Sequence, residues 1–273
     1  MADIVVIGAG MGGLSAAVRL QAAGHRVTVV EKNARPGGKV NVIEADGFRF
    51  DTGPTILTMP GEIERLFRDV GRDMRDYLQL EQFEPVYRAT FGDGSVFTLW
   101  PDQERTLEEI RALSPRDVDA YRAFLRKGAA LWEQIDAHFF NKLFLGWRDV
   151  LDRDTMRAGR KMDALRSMYT AVDKQFHDPR IKQLFMFQAV YVGASPHQAP
   201  ATYTVIPYLE MAQGVWFPRG GIYSLVEAVT RLATELGVEF RLSTPVERVL
   251  VENGAARGVA LQGGSSLRAD VVI

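Results

Sequence analysis

Residues 4 to 31 constrain this chain more than any other segment. Ile4-Val5-Val6-Ile7 is a continuous apolar run, the pattern of a strand buried on both faces. Gly8-Ala9-Gly10-Met11-Gly12-Gly13 follows without a spacer. Leu14, Ala17, Val18 and Gln21 then share one helical face, up to a C-cap glycine at Gly24. Val27 to Val30 is a second apolar run, ending on Glu31. In Gly8-x-Gly10-x-x-Gly13, Gly8 allows the tight turn, Gly10 lets a pyrophosphate approach the backbone, and Gly13 lets helix and strand pack closely. Phosphate rests on the free N–H groups of the helix start. Glu31 is placed to accept hydrogen bonds from both ribose hydroxyls and to repel a 2′-phosphate, which argues against NADP. A glycine pattern alone is weak. Strand, glycines, helix, strand and acid in register make a βαβ dinucleotide site.

Beyond it, Phe48-Arg49-Phe50 alternates like a strand and leads into Asp51-Thr52-Gly53-Pro54. Ile63, Leu66, Phe67 and Val70 mark an amphipathic helix stopped by Gly71. Val86 to Phe91 and Ser95 to Leu99 flank Gly92-Asp93-Gly94 as a hairpin. The middle is helical. Ser114-Pro115-Arg116-Asp117 reads as a capping box with Pro at the first helical position, and helical patterning continues to about Val192. Leu225, Val229, Leu232 and Leu236 form a helix closed by Gly237. Strands follow over Val238 to Leu242, Val246 to Val251, Arg257 to Leu261 and Ser266 to Ile273, with Asn253-Gly254 as a hairpin turn. This order predicts an α/β, Rossmann-like domain interrupted by a largely helical insertion. The expected segments are 1–85 and 214–273 for the dinucleotide domain and 86–213 for the substrate and membrane-contact domain.

Net charge is −1, so nothing in the balance points to nucleic acid. With no cysteine, disulfides and thiolate chemistry are excluded, which fits a reducing cytoplasm. The longest stretch without Asp, Glu, Lys or Arg, Gln183 to Leu209, is broken by Pro196, Pro200 and Pro207 and is not read as a membrane span. His138, His177 and His197 lack ligand spacing, so no metal is assigned.

The glycines do not choose between NAD and FAD. Pro36-Gly37-Gly38-Lys39 adds two close-approach glycines and a cation beside the same pyrophosphate. Together, Gly8-Ala9-Gly10-Met11-Gly12-Gly13-Leu14, Glu31-Lys32, Pro36-Gly37-Gly38-Lys39 and Phe50-Asp51-Thr52-Gly53-Pro54 resemble the start of bacterial and fungal-type phytoene desaturases, in the FAD-dependent amine oxidase superfamily. Ser114-Pro115-Arg116-Asp117 with Tyr121, Tyr191-Val192-Gly193-Ala194-Ser195-Pro196 and Gly214-Val215-Trp216-Phe217-Pro218-Arg219-Gly220-Gly221 extend the likeness over nearly the whole chain.

The resemblance implies a glutathione-reductase-like FAD-binding domain. Its cofactor-binding positions are Gly8, Ala9, Gly10, Gly12, Gly13, Glu31, Lys32, Gly37, Gly38, Lys39, Asp51, Gly53, Pro54, Gly220 and Gly221, with Val246 lending its backbone to the adenine edge. It implies non-covalent FAD, a hydrophobic polyene substrate and desaturation of a C–C bond, with hydride passing to the flavin and a proton lost. Arg148-Asp149 sits where the family often carries an Arg-Asp pair and is the catalytic candidate. Its residue types fit an ordinary surface pair at a helix start at least as well. Phe139 to Trp147 resembles an interfacial patch, implying a cytoplasmic enzyme peripherally attached to a membrane; core packing suits it equally. Phe185, Phe187, Tyr191 and Tyr203 suit a channel wall, and core better. The apolar ending Ala269-Asp270-Val271-Val272-Ile273 and the family's greater length imply the N-terminal portion of a longer enzyme. Related carotenoid isomerases, late-pathway dehydrogenases and amine oxidases share the fold. So do prenyl-protein carriers, which use no flavin and tend to lose the glycine fingerprint that is intact here.

Overall fold

The structure is a computed structural model that describes residues 1–140, 142, 143, 145, 146, 156, 159 and 162–273. The chain divides into two compact units, residues 1–81 with 216–273, and residues 82–215.

The first unit opens with β1 (Asp3–Ile7), α1 (Met11–Ala22) and β2 (Arg26–Val30). Ile4, Val5, Val6, Val27, Val29 and Val30 are all nearly inaccessible, as continuous apolar strands of a covered parallel sheet should be. The helix face Leu14, Ala17 and Val18 packs into the same core. Each such Leu or Val side chain contributes about 1.5–3 kcal/mol. The hairpin β3 (Asn41–Ala45) and β4 (Phe48–Thr52) follows, then α2 (Pro60–Arg68) and β5 (Leu80–Gln82).

The second unit begins with the hairpin β6 (Tyr87–Thr90) and β7 (Val96–Leu99). Among the described residues its α-helices are α3 (Gln103–Leu113), α4 (Val118–Ile135), α5 (Met168–Gln175), α6 (Pro179–Leu184) and α7 (Val205–Gln213). Short 3₁₀ turns lie at Pro115–Asp117, Phe187–Val192 and Ala201–Thr204. Its core is an aromatic cluster in which Phe185, fully buried, lies 4.6 Å from Phe176 and 4.7 Å from Phe124. Phe185 is therefore core and not channel wall.

The capping box expected at Ser114 is not formed. The Ser114 hydroxyl donates to Asp117 Oδ2 (2.8 Å) instead of accepting a backbone N–H. The Asp117 carboxylate also accepts the amides of His177 (2.7 Å) and Asp178 (2.9 Å) and contacts His177 Nδ1 (3.0 Å). A long-range partner thus replaces the local cap. Burial alone raises the Asp117 carboxyl, but the Asp178 and His177 amides and the Ser114 hydroxyl outweigh it and hold it below the usual aspartate range.

The chain returns to the first unit with β8 (Trp216–Pro218), α8 (Tyr223–Glu235), β9 (Glu239–Arg241), β10 (Val246–Glu252), β11 (Ala255–Leu261), β12 (Ser266–Arg268) and β13 (Val271–Val272). A four-stranded sheet runs β13-β1-β2-β9 with every pairing parallel. A meander β10-β11-β12 is antiparallel. The segment Ser266 to Ile273, expected as one strand, is two. Asp270 exchanges hydrogen bonds with Asp3, its amide donating to Asp3 O (2.8 Å) and its Oδ2 accepting Asp3 N–H (2.9 Å). The chain thereby leaves the meander and enters the parallel sheet. The architecture is a Rossmann-like α/β unit with a largely helical insertion. Among the described residues no helix is long and apolar enough to cross a membrane.

Candidate functional site

The carboxyl ends of β1 and β2 form the crevice where parallel α/β sheets hold ligands. Gly8 turns the chain at φ +96° and donates to Val30 O (2.8 Å), tying the loop to β2. A Cβ built on Gly13 lies 2.1 Å from Gly8 O, so this glycine is required by the contact between α1 and the loop. A Cβ built on Gly10 or Gly12 meets nothing within 4 Å. Those two glycines border open space beside the start of α1, which has neither a side-chain cap nor an acidic residue in its first turn. Unpaired helix N–H groups facing such a cradle fit a phosphate.

The second glycine loop leans on the first. Gly37 N–H donates to Ala9 O (2.8 Å), and a Cβ on Gly38 lies 3.2 Å from Gly10 Cα. Gly37 is at φ +129° with its built Cβ 2.2 Å from Val40 O, so no other residue fits there. Tyr223 steadies this loop by donating its hydroxyl to Pro36 O (3.0 Å). Lys32, Lys39, Gly53 and Pro54 are exposed around it, and a Cβ on Gly53 would strike Lys39 O at 2.1 Å.

Glu31 is 4% exposed and its carboxylate is already engaged. Oε2 accepts Ala9 N–H (2.7 Å), while Oε1 accepts both the backbone N–H (2.9 Å) and the side-chain Nδ2 (2.7 Å) of Asn33. Asp51 serves a different helix. Its carboxylate accepts Ile222 N–H (2.7 Å) and Tyr223 N–H (3.2 Å) at the start of α8. Gly221 permits this, since a Cβ there would lie 2.4 Å from Asp51 Oδ2. The anion at the α8 start is thus the protein's own, whereas among the described residues no acidic side chain caps the α1 start. Gly220 is exposed beside it, and Val246 opens β10. Arg148, Asp149, Phe144 and Trp147 lie outside the described residues.

Sequence reasoning missed Asn33, Tyr223 and, in the helical unit, Glu210. Asn33 had a local signal, an amide two residues after the acid. The only clue to Glu210 was that it ends the charge-free run. It is 1% exposed, with Oε2 accepting Gln188 Nε2 (3.0 Å) and Oε1 without a partner among the described residues. Among the same residues Gln188 Oε1 likewise has none. Burial pushes the Glu210 carboxyl up, and the Gln188 amide and the Tyr191 hydroxyl near it offset this only in part. A carboxyl raised on folding supports stability below its unfolded value, about 4.3, and loses that support as pH rises through the folded value. Glu210→Gln is therefore expected to unfold with a flatter pH dependence than wild type, gaining relative to it as pH rises. Thermal melts across the pH range check this.

The family described as flavin containing amine oxidoreductase matches residues 11–273. Zeta-carotene-forming phytoene desaturase of Myxococcus xanthus is 41% identical over 270 residues, covering 99% of this chain and 52% of its own length. The 4,4'-diapolycopene oxygenase of a Methylomonas species is 40% identical over 271 residues, covering 99% of this chain and 54% of its own. The chain thus spans about half the length of the curated relatives it matches. An oxidoreductase from Methanosarcina mazei superposes with a TM-score of 0.67 at 18% identity, over 99% of this chain and 58% of that one, a likeness of fold. With its glycine cradle, parallel sheet and near-complete match, the chain belongs to the flavin-containing amine oxidoreductase family.

Proposed function

We propose that the protein is an FAD-dependent carotenoid desaturase, acting on a precursor such as phytoene. The observation that carries this is the open cradle at Gly10 and Gly12 above the uncapped α1, with Glu31 at the end of the neighbouring strand. It is joined by 41% identity to a phytoene desaturase. The α1 amides and the Gly37-Gly38-Lys39 loop hold the pyrophosphate, and Glu31 takes the adenosine ribose. Ala9, Lys32, Asp51, Gly53, Pro54, Gly220, Gly221 and Val246 complete the surroundings of the cofactor. A bound flavin supplies the two-electron acceptor that takes a hydride from carbon. The proton from the adjacent carbon needs a base, for which Asp149 beside Arg148 is the candidate. Carotenes reside in bilayers, so the enzyme draws substrate from a membrane surface. Phe140, Leu143 and Leu145, at 58%, 74% and 84% exposure, fit such a peripheral contact.

Phytoene presented in liposomes is expected to be converted to products of longer conjugation, read from their absorbance. Oxidation of a simple amine with phytoene untouched would overturn the proposal. The 40% identity to the diapolycopene oxygenase supports a second reading, action later on a polyene. Turnover of an already desaturated carotene, with none of phytoene, would favour it.

A further inference from the structure

The peptide unit between Pro36 and Gly37 is held from two sides. Its N–H, on Gly37, donates to Ala9 O (2.8 Å) and so faces the first glycine loop. Its C=O, on Pro36, accepts the Tyr223 hydroxyl (3.0 Å) and so faces α8. A trans peptide is planar, with N–H and C=O pointing opposite ways, so the two bonds together fix its plane. Gly37 itself does not fix it, because glycine at φ +129° rotates with little steric resistance. Tyr223 is well placed to act as the outer clamp. It is 6% exposed, and its ring carbon Cε2 lies 3.1 Å from a Cβ built on Gly37. Its own amide (3.2 Å) and that of Ile222 (2.7 Å) donate to Asp51, at the end of the β3–β4 hairpin. One line of contacts thus runs from Asp51 through the α8 start and the Tyr223 hydroxyl to the second glycine loop, and through Gly37 to the first. The second loop then closes on Gly10, where a Cβ on Gly38 would lie 3.2 Å from Gly10 Cα.

We propose that Tyr223 is a positioning residue for the cofactor, whose hydroxyl holds the Pro36–Gly37 peptide in the orientation that seats the second glycine loop against the first and so forms the pyrophosphate cradle before a ligand arrives. This rests on the reading of the glycine loops as the ADP half of a flavin site. Without the hydroxyl, the peptide is held at its N–H end alone. A ligand then finds the cradle formed in only a fraction of the molecules, and its apparent affinity falls by that fraction. A hydrogen bond between uncharged groups corresponds to roughly two- to tenfold in such an equilibrium.

The test compares wild type with Tyr223→Phe, which keeps the ring and removes the hydroxyl. Tyr77→Phe is the matched control, since the Tyr77 hydroxyl also grips α8, but at Glu235 in its last turn. Calorimetric titration with ADP should show Tyr223→Phe binding about threefold or more weakly than wild type, and Tyr77→Phe within about twofold of it. Amide hydrogen exchange without ligand reads the loop directly. The amides of Gly37, bonded to Ala9 O, and of Val40, bonded to Gly37 O, should exchange about threefold or more faster in Tyr223→Phe, with the amides of β1 and β2 unchanged. The variant should melt within about 5 °C of wild type. Exchange raised throughout the unit, with a much lower melting temperature, would give the hydroxyl a merely structural role and overturn the proposal. Weaker ADP binding with unchanged exchange at Gly37 and Val40 would mean that the hydroxyl meets the ligand itself, and would overturn it as well. So would unchanged ADP affinity, or an equal loss in Tyr77→Phe; both leave the nucleotide reading standing. No binding of ADP by wild type would overturn that reading and the proposal together.

Discussion

Gly13→Ala is expected to destabilise the dinucleotide unit by about 3 kcal/mol and to abolish nucleotide binding. Its Cβ would lie 2.1 Å from Gly8 O and 3.3 Å from Val6 Cγ1. The first obstacle is backbone, so either α1 lifts off β1 or the Gly8 turn opens. Gly10→Ala isolates the other half of the motif. Gly10 has φ −72° and ψ 171°, a conformation any residue adopts, and its Cβ meets no protein atom within 4 Å. Its unfolding free energy should stay within about 0.5 kcal/mol of wild type. The added methyl nevertheless occupies the cradle, and FAD affinity should fall by more than about tenfold. Denaturant melts without ligand, followed by FAD titration, separate the two effects. An unstable Gly10→Ala or a well-folded Gly13→Ala would show that the roles have been exchanged.

Asp117→Ala is expected to cost the helical unit about 3 kcal/mol. The Asp117 side chain is fully buried, and its removal leaves the His177 and Asp178 amides and the Ser114 hydroxyl without their acceptor. The pH dependence carries its own sign. A carboxyl lowered on folding contributes stability above its unfolded value, about 3.9, and loses it as pH falls through the lower folded value. Asp117→Asn, neutral throughout, should therefore show its full deficit at neutral pH and a shrinking one below about pH 4. Melts of wild type and variant at two pH values read this out. A deficit that grows in acid would mean that the Asp117 charge opposes folding.

Sequence and structure part company along a physical line. β1, α1 and β2 were legible because burial on a sheet and on one helix face imposes periods on the residues themselves. The Asn253-Gly254 turn was legible because both residues adopt positive φ, 52° and 78°, which few other pairs tolerate. The pairing of Glu31 with the glycine loop follows from the βαβ unit, in which the ends of consecutive parallel strands lie side by side. Hydrogen bonds between distant segments leave no period. Asp51 binds amides 171 and 172 residues on, at the start of α8, and Asp117 binds amides 60 and 61 residues on. For Ser114 the local signal was present and misleading, because those two amides compete for the same carboxylate. The break at Asp270 was hidden for the same reason. Its partner is Asp3, at the other end of the sequence, and the residues on either side of it are equally good strand formers.

The central claim is that the chain grips a flavin dinucleotide by its ADP half. Calorimetric titration with FAD and with FMN, and with FAD again under saturating ADP, tests it most directly. FAD should bind, FMN should bind at least about a hundredfold more weakly, and ADP should displace FAD. FMN binding as tightly as FAD, with ADP having no effect, would contradict the claim.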